Sequence, residues 1–406
     1  KDQFHFTFDT EEYEQLSQSG IVAGYGAELA VENATPPREV IVAFVEPGSP
    51  AEAQGLVRGD RILRADNVDV VNGSSQADVD AINAALFPSA SGEQHTFVVE
   101  NVGDNSGERT ISVTAAEITV DPVPDVAVIN TANGPVGYVH FTTHIATAEA
   151  ELISAINALA GNNVTELVLD LRYNGGGFLD IANELAYMVA GPAAAQGRVF
   201  DEIKFSDKHP SINPVTGRAL APDFFHTTSQ GFSVTSGQDL PSLNLSRVFV
   251  LSGPGTCSAS EAIINGLRGI DVDVVLIGEP TCGKPYGFFP FDNCGTTYFT
   301  IQFSGSNDKG FGDYPDGFIP VETSNPTDPT NVTGCVVADD FGNPLGDIDE
   351  ARLDAALTYI ETGSCPSPTN LQQATKSLPV SKSVSASSAS AIGNGRTLLP
   401  GRIKNR

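Results

Sequence analysis

Three short apolar runs, each stopping at a glycine turn, most constrain how this chain can fold. Leu167-Val168-Leu169-Asp170-Leu171 runs into Asn174-Gly175-Gly176-Gly177. Val248-Phe249-Val250-Leu251 runs into Gly253-Pro254-Gly255, and Val274-Val275-Leu276-Ile277 stops at Gly278. Runs this short, apolar at successive positions, read as buried strands. Helical periodicity fills the intervals: 148–159, with Leu152, Ile156 and Leu159 on one face, then 179–189 and 258–267. Further strands are expected over 136–141 and 298–303. Strand and helix therefore alternate, which predicts a layered α/β domain. A polar stretch of about 200–240, holding His209, Pro210 and Pro214, reads as a long insertion that covers a cleft at the open end of the sheet.

Upstream the pattern is different. Residues 20–117 hold short strands at 40–45, 68–71, 96–100 and 109–115 and a helix near 78–87, which makes a compact β-rich module. Its turns fall in a fixed order: Gly24-Tyr25-Gly26, then Gly48-Ser49-Pro50-Ala51, Gly55-Leu56 and Gly59-Asp60-Arg61-Ile62-Leu63. That series resembles a PDZ domain. The resemblance implies that Gly24, Tyr25 and Gly26 present backbone N–H groups to a peptide's terminal carboxylate, while the adjacent strand edge pairs with the peptide. Turns that bind nothing are the plainer reading of the same glycines.

Charge narrows the partners. Twenty-two Lys and Arg stand against 50 Asp and Glu, a net −28, and a field of that sign repels phosphate backbones, which excludes nucleic acid. No run approaches the ~18–20 apolar residues that span a bilayer. All the acidic residues lie at or before Glu361, whereas six basic ones follow it, so the first 361 positions carry −34 and the remainder +6. The segment 367–406, with its Ser/Ala run over 381–391, is expected to be a disordered basic tail, either merely solvated or a docking arm. The chain opens at Lys1 rather than Met, which reads as either a mature or a trimmed chain. Five cysteines lie in the second half, without the close pairs of a zinc site. Two disulfides are expected, Cys335 with Cys365 across a helix and Cys282 with Cys294 across a loop, leaving Cys257 free; five buried reduced thiols are the alternative. Asp339-Asp340 and Asp347-Asp349 lack the register of a calcium loop and read as solvated turns. No metal or cofactor is expected.

The chemistry gathers at two strand ends. Ser258 opens a helix after an apolar strand and a tight turn, beside unpaired backbone N–H groups at the positive end of the helix dipole. Such a place stabilises a developing oxyanion. It also suits an ordinary N-cap, since Ser258-Ala259-Ser260-Glu261 fits a capping box. After the next strand, Gly278-Glu279-Pro280-Thr281-Cys282-Gly283-Lys284 puts a lysine among Tyr286, Phe288 and Phe289. A lysine held there loses hydration, which favours the neutral amine that can take a serine proton.

Taken with the run Leu167–Gly177, these segments resemble the carboxyl-terminal processing, or tail-specific, peptidases of family S41. The resemblance covers about 20–321. It implies a PDZ-like module followed by a layered α/β core of the crotonase-like ββα kind. It further implies a serine endopeptidase acting on proteins or peptides, in which Ser258 is the nucleophile, Lys284 the general base, and the N–H groups of Ala259 and Gly176 the oxyanion hole. Many members carry a glutamine four residues after the lysine, where this chain has Phe288; Gln302, Glu279 or His140 is then the candidate third partner, and His144 lies near His140. A catalytically weak or inactive peptide-binding or ligand-binding protein on the same fold is the alternative. The expected organisation is an N-terminal segment 1–19, the PDZ-like domain 20–118, the peptidase core 119–322, an appendage 323–366 with a helix near 349–360, and the tail 367–406. The expected location is outside the cytoplasm: a bacterial periplasm or cell envelope, a lipid-anchored precursor included, or secretion.

Overall fold

The computed structural model describes residues 4–104, 107–323 and 326–367, and the backbone of 401–403. The apolar runs of the second half become neighbours in one seven-stranded sheet. Its order is Asp125–Thr131, Gly134–His140, Glu166–Asp170, Arg247–Ser252, Asp273–Gly278, Asn331–Val336 and Ile319–Val321. The first pair is antiparallel and the rest are parallel, with Val168 opposite Phe249 and Leu251 opposite Ile277. Successive side chains of a strand point to opposite faces, so Leu167 and Leu169 enter one core and Val168 the other. The first core is closed by helices Ala148–Gly161, Leu179–Ala190 and Ala259–Gly269, the second by Ala351–Thr362. Because both faces are covered, apolar residues fill consecutive positions. The carboxyl ends of the parallel strands, where the glycine turns begin, then stand along one edge of the layer, the usual place for a site in such sheets.

The β-rich module forms its own sheet, Ala27–Asn33, Glu39–Val45, Asp60–Ala65, Gln94–Asn101 and Arg109–Thr114. Helix Gln76–Leu86 starts on a capping box between Ser75 and Asp78 and buries Val79, Ile82 and Leu86 against Val40, Val42 and Ile62. Ala27–Asn33 is an edge strand of this sheet.

Several expectations change. The continuous strand expected over 298–303 is two, Thr296–Phe299 and Phe303–Ser306, in different sheets. Thr296–Phe299 pairs with Phe6–Asp9 of the N-terminal segment. Cys282 is bonded to Cys257, not Cys294, because Cys257 and Cys282 sit on adjoining turns at neighbouring strand ends, while Cys294 is exposed on its own hairpin. Cys335–Cys365 forms as expected. Asp339 is not in a solvated turn; its side chain is buried among arginines. The expected tail lies outside the described residues save for 367 and for 401–403, and these three form a strand, Gly401–Ile403, between Gly176–Phe178 and Tyr286–Phe288.

Candidate active site

Ser258 stands between strand Arg247–Ser252 and helix Ala259–Gly269, fully buried, with φ 62° and ψ −106°. A non-glycine residue there is strained, and such strain persists only where its surroundings impose it. The restraints are on both sides. Asn174 O accepts from Cys257 N–H and from Ser260 Oγ, each at 3.0 Å. Thr256 Oγ1 donates to Leu171 O at 2.9 Å. Gly255 passes so close to the glycine run that a Cβ on it would lie 3.0 Å from Tyr173 Cα. Glu261 Oε2 accepts from Ser258 N–H at 2.9 Å, as in a capping box. Ala259 is the first residue of the helix, where N–H groups have no intrahelical acceptor.

Glu261 does more than cap. Fully buried, it also accepts from Thr281 Oγ1 at 2.6 Å and from the N–H groups of Gly283 and Lys284 at 2.8 Å. Burial pushes its carboxyl above the usual range, although these donors pull it back. One carboxylate thus holds the backbones of the serine turn and the lysine loop, and the Cys257–Cys282 bond joins the same two segments. Cys257, Glu261 and Cys282 are the one convergent group of metal-ligand type among the described residues. Its sulfurs are consumed in the disulfide and its carboxylate by N–H donors, so it does not fit a metal.

Lys284 is 1% exposed. Its Nζ lies 4.6 Å from the centre of the Phe288 ring, 5.2 Å from that of Phe4 and 5.9 Å from that of Phe6. Phe288, read as a gap in the expected pattern, is a wall of the lysine pocket. Phe4 and Phe6 supply the others in place of Tyr286 and Phe289, a contribution no local reading of 278–289 could reveal.

Across from Ser258, Asn174 Nδ2 donates to Phe141 O at 2.8 Å, which fixes its amide so that Oδ1 accepts from Gly176 N–H at 3.0 Å and from His144 Nδ1 at 3.0 Å. Burial pushes His144 down to about 3, so it stays neutral with the proton on Nδ1. The Gly176 N–H, expected in the oxyanion hole, is bound to Asn174 Oδ1, and Gly177 is the next residue of the run. Gly177 has φ 137°, and a Cβ on it would lie 2.4 Å from His144 O.

Residues 135–292 match the family model described as peptidase family S41, and residues 15–85 match that of the PDZ domain. Residues 135–292 thus belong to peptidase family S41. The chain is 30% identical over 278 residues to a carboxyl-terminal-processing protease of Picosynechococcus, covering 68% of this chain and 58% of that protein. It is 27% identical over 275 residues to the chloroplastic C-terminal processing peptidase of Tetradesmus obliquus, covering 66% and 52%. The chain thus spans little more than half the length of these relatives. A crystal structure of a Bacteroides fragilis protein assigned to the S41 proteases shares the fold, with a TM-score of 0.64 at 24% identity, covering 89% of this chain and 87% of that one.

Each of the three candidate partners of the lysine has contacts of its own. Gln302 Oε1 accepts from Phe289 N–H at 2.9 Å. Glu279 Oε2 pairs with Arg352 at 2.6 Å. His140 is buried against Phe44, at 5.5 Å between ring centres, and faces Asp125 at 3.9 Å. In the PDZ module, Tyr25 OH donates to Ala85 O at 2.9 Å and Tyr25 O accepts from Ala51 N–H, which pins the loop Gly24–Gly26 beside the start of the edge strand. Among the described residues no helix is long and apolar enough to cross a membrane.

Proposed function

We propose that this chain is a serine endopeptidase that hydrolyses peptide bonds through Ser258 and Lys284. The observation that carries the reading is the pairing of a strained, buried serine at a helix start with a buried lysine whose loop shares one carboxylate, Glu261. Ser258 Oγ attacks the peptide carbonyl while Lys284 Nζ takes its proton. The Ala259 and Gly177 N–H groups face the oxygen that becomes negative. Collapse expels the amine, which receives the proton from Lys284. Water, deprotonated by Lys284 Nζ, then attacks the acyl group, and the proton passes to Ser258 Oγ as the ester bond breaks. Asn174 and His144 hold the glycine run for this purpose. Gly24, Tyr25 and Gly26 receive the terminal carboxylate of a protein or peptide substrate, whose last residues add to the edge strand Ala27–Asn33. Two disulfides and an acidic surface support export to a bacterial periplasm or cell envelope, or secretion.

The test is digestion of an unfolded protein, read by mass spectrometry, with wild type, Ser258→Ala and Lys284→Ala. Wild type is expected to yield peptides and both variants none, all three giving the same circular dichroism. Cleavage by either variant at the wild-type rate overturns the dyad, and silence of wild type favours a binding protein on the same fold. Amidating the substrate's C-terminus is expected to slow cleavage; equal rates overturn the carboxylate role of the PDZ loop.

A further inference from the structure

The glycine strand Gly176–Phe178 and the strand Tyr286–Phe288, which begins two residues after Lys284, stand on either side of one slot. Strand Gly401–Ile403 fills it. Gly176, Gly177 and Phe178 lie opposite Gly401, Arg402 and Ile403 in parallel register, and Gly287 and Phe288 lie opposite Arg402 and Ile403 on the other side. The occupant bridges two short edges that otherwise lack a common neighbour in this sheet. Such pairing uses main-chain groups, so it accepts many sequences, including an extended foreign peptide.

Two further facts favour this occupant. The segment after Glu361 carries +6 and no acidic residue, against −34 for the rest. Opposite charge raises its local concentration in a salt-dependent way. Residues 368–400 tether it. As part of the same chain it competes intramolecularly, at an effective concentration that a free peptide must exceed.

We propose that residues 401–403 are a built-in competitor: the chain's own basic segment occupies the strand slot beside the dyad, and an extended peptide must displace it to reach Ser258. The role of the slot rests on the peptidase reading above, so the test is made without turnover. In the full chain carrying Ser258→Ala, hydrogen exchange of the Gly401 and Ile403 amides is followed with and without Arg402→Pro, which removes a central N–H and fixes the backbone out of the strand. Both amides are expected to exchange at least tenfold more slowly without the proline. The same two proteins are titrated with a fluorescein-labelled, C-terminally amidated apolar decapeptide, and Arg402→Pro is expected to lower its Kd at least fivefold at low salt. Exchange at free-peptide rates, or equal Kd values, overturns the proposal. So does a wild-type chain that removes its own residues after 400 while Ser258→Ala keeps them, because the segment would then be a substrate. Absence of cleavage by the chain carrying Arg402→Pro with Ser258 intact, with protection and the Kd shift both present, refutes the peptidase reading and leaves the competitor standing.

Discussion

Glu261 is the side chain on which the site's geometry converges, and its four short bonds cannot all be replaced by an isostere. In Glu261→Gln the amide NH2 must face an N–H donor of Ser258, Gly283 or Lys284, leaving a buried donor unsatisfied at about 1–3 kcal/mol. We expect kcat/KM to fall roughly 10–100-fold, mostly in kcat, which steady-state kinetics on an unquenched peptide would read. A loss confined to KM would place the carboxylate in substrate binding instead. At this scale the sequence could name Ser258 and Lys284 but not weigh them, since Ser258-Ala259-Ser260-Glu261 fits an idle cap equally well. The positive φ of Ser258 and the shared use of Glu261 by two loops support the catalytic reading proposed above, and both are products of tertiary contact. The engagement of Gly176 was hidden for the same reason: nothing local says that Asn174 turns its amide back onto that N–H.

Two element-level restraints carry predictions. The Cys257–Cys282 bond, 25 residues apart in sequence, ties the serine turn to the lysine loop, and a closed loop of that length is worth about 3 kcal/mol of stability. Treatment with a dithiol is expected to lower the melting temperature and to reduce kcat more than it raises KM. A melting shift without a kcat change would make the bond merely structural. The insertion is held differently. Glu149, buried under it, accepts from the N–H groups of Gln230, Gly231, Ser233 and Val234. These donors outweigh burial and keep its carboxyl below the usual range. Burial and the Glu149 charge push the neighbouring Glu184 up to about 9. With its folded pKa above the unfolded value, Glu184 contributes stability that is full below about pH 4.5 and is lost as pH rises toward 9. Glu184→Gln mimics the protonated form, so its melting temperature should fall less than wild type's between pH 7 and pH 9.5. Parallel melting curves across that range would remove Glu184 as the group responsible. The insertion itself was legible as a polar stretch. Its anchoring was not, because the acceptor lies some 80 residues earlier.

Across the whole molecule, one buried charge cluster joins the module, the core and the appendage. Asp339 meets Arg58 of the module at 2.6 Å, Arg172 of the core at 3.3 Å and Arg352 of the appendage at 3.6 Å. Arg172 is further held by Asp170 at 2.6 Å and Glu350 at 2.8 Å, and Arg352 by Glu279. Burial raises the Asp339 carboxyl, but the three guanidinium groups outweigh it and hold it well below the usual carboxylate range. Removing its charge leaves buried arginines undercompensated, which typically costs about 3–5 kcal/mol. Asp339→Asn is therefore expected to lower the denaturation midpoint strongly, or to split unfolding into two transitions as the module separates from the core. A change within experimental error would show that the cluster is already hydrated.

What the chain determined unaided is what local periodicity and turn chemistry encode: the buried strands, their glycine turns, the helices between them, and the serine and lysine that follow two of the strands. Those signals lie within a dozen residues and follow from backbone geometry alone. Tertiary structure alone decided which turns adjoin, and hence that Cys257 rather than Cys294 meets Cys282, that Phe4 and Phe6 wall the lysine, and that Asp339 is a buried hub. It also decided that residues 401–403 pair between Gly176–Phe178 and Tyr286–Phe288. These are pairings across tens to hundreds of residues, set by which surfaces pack, and no spacing along the chain carries that information.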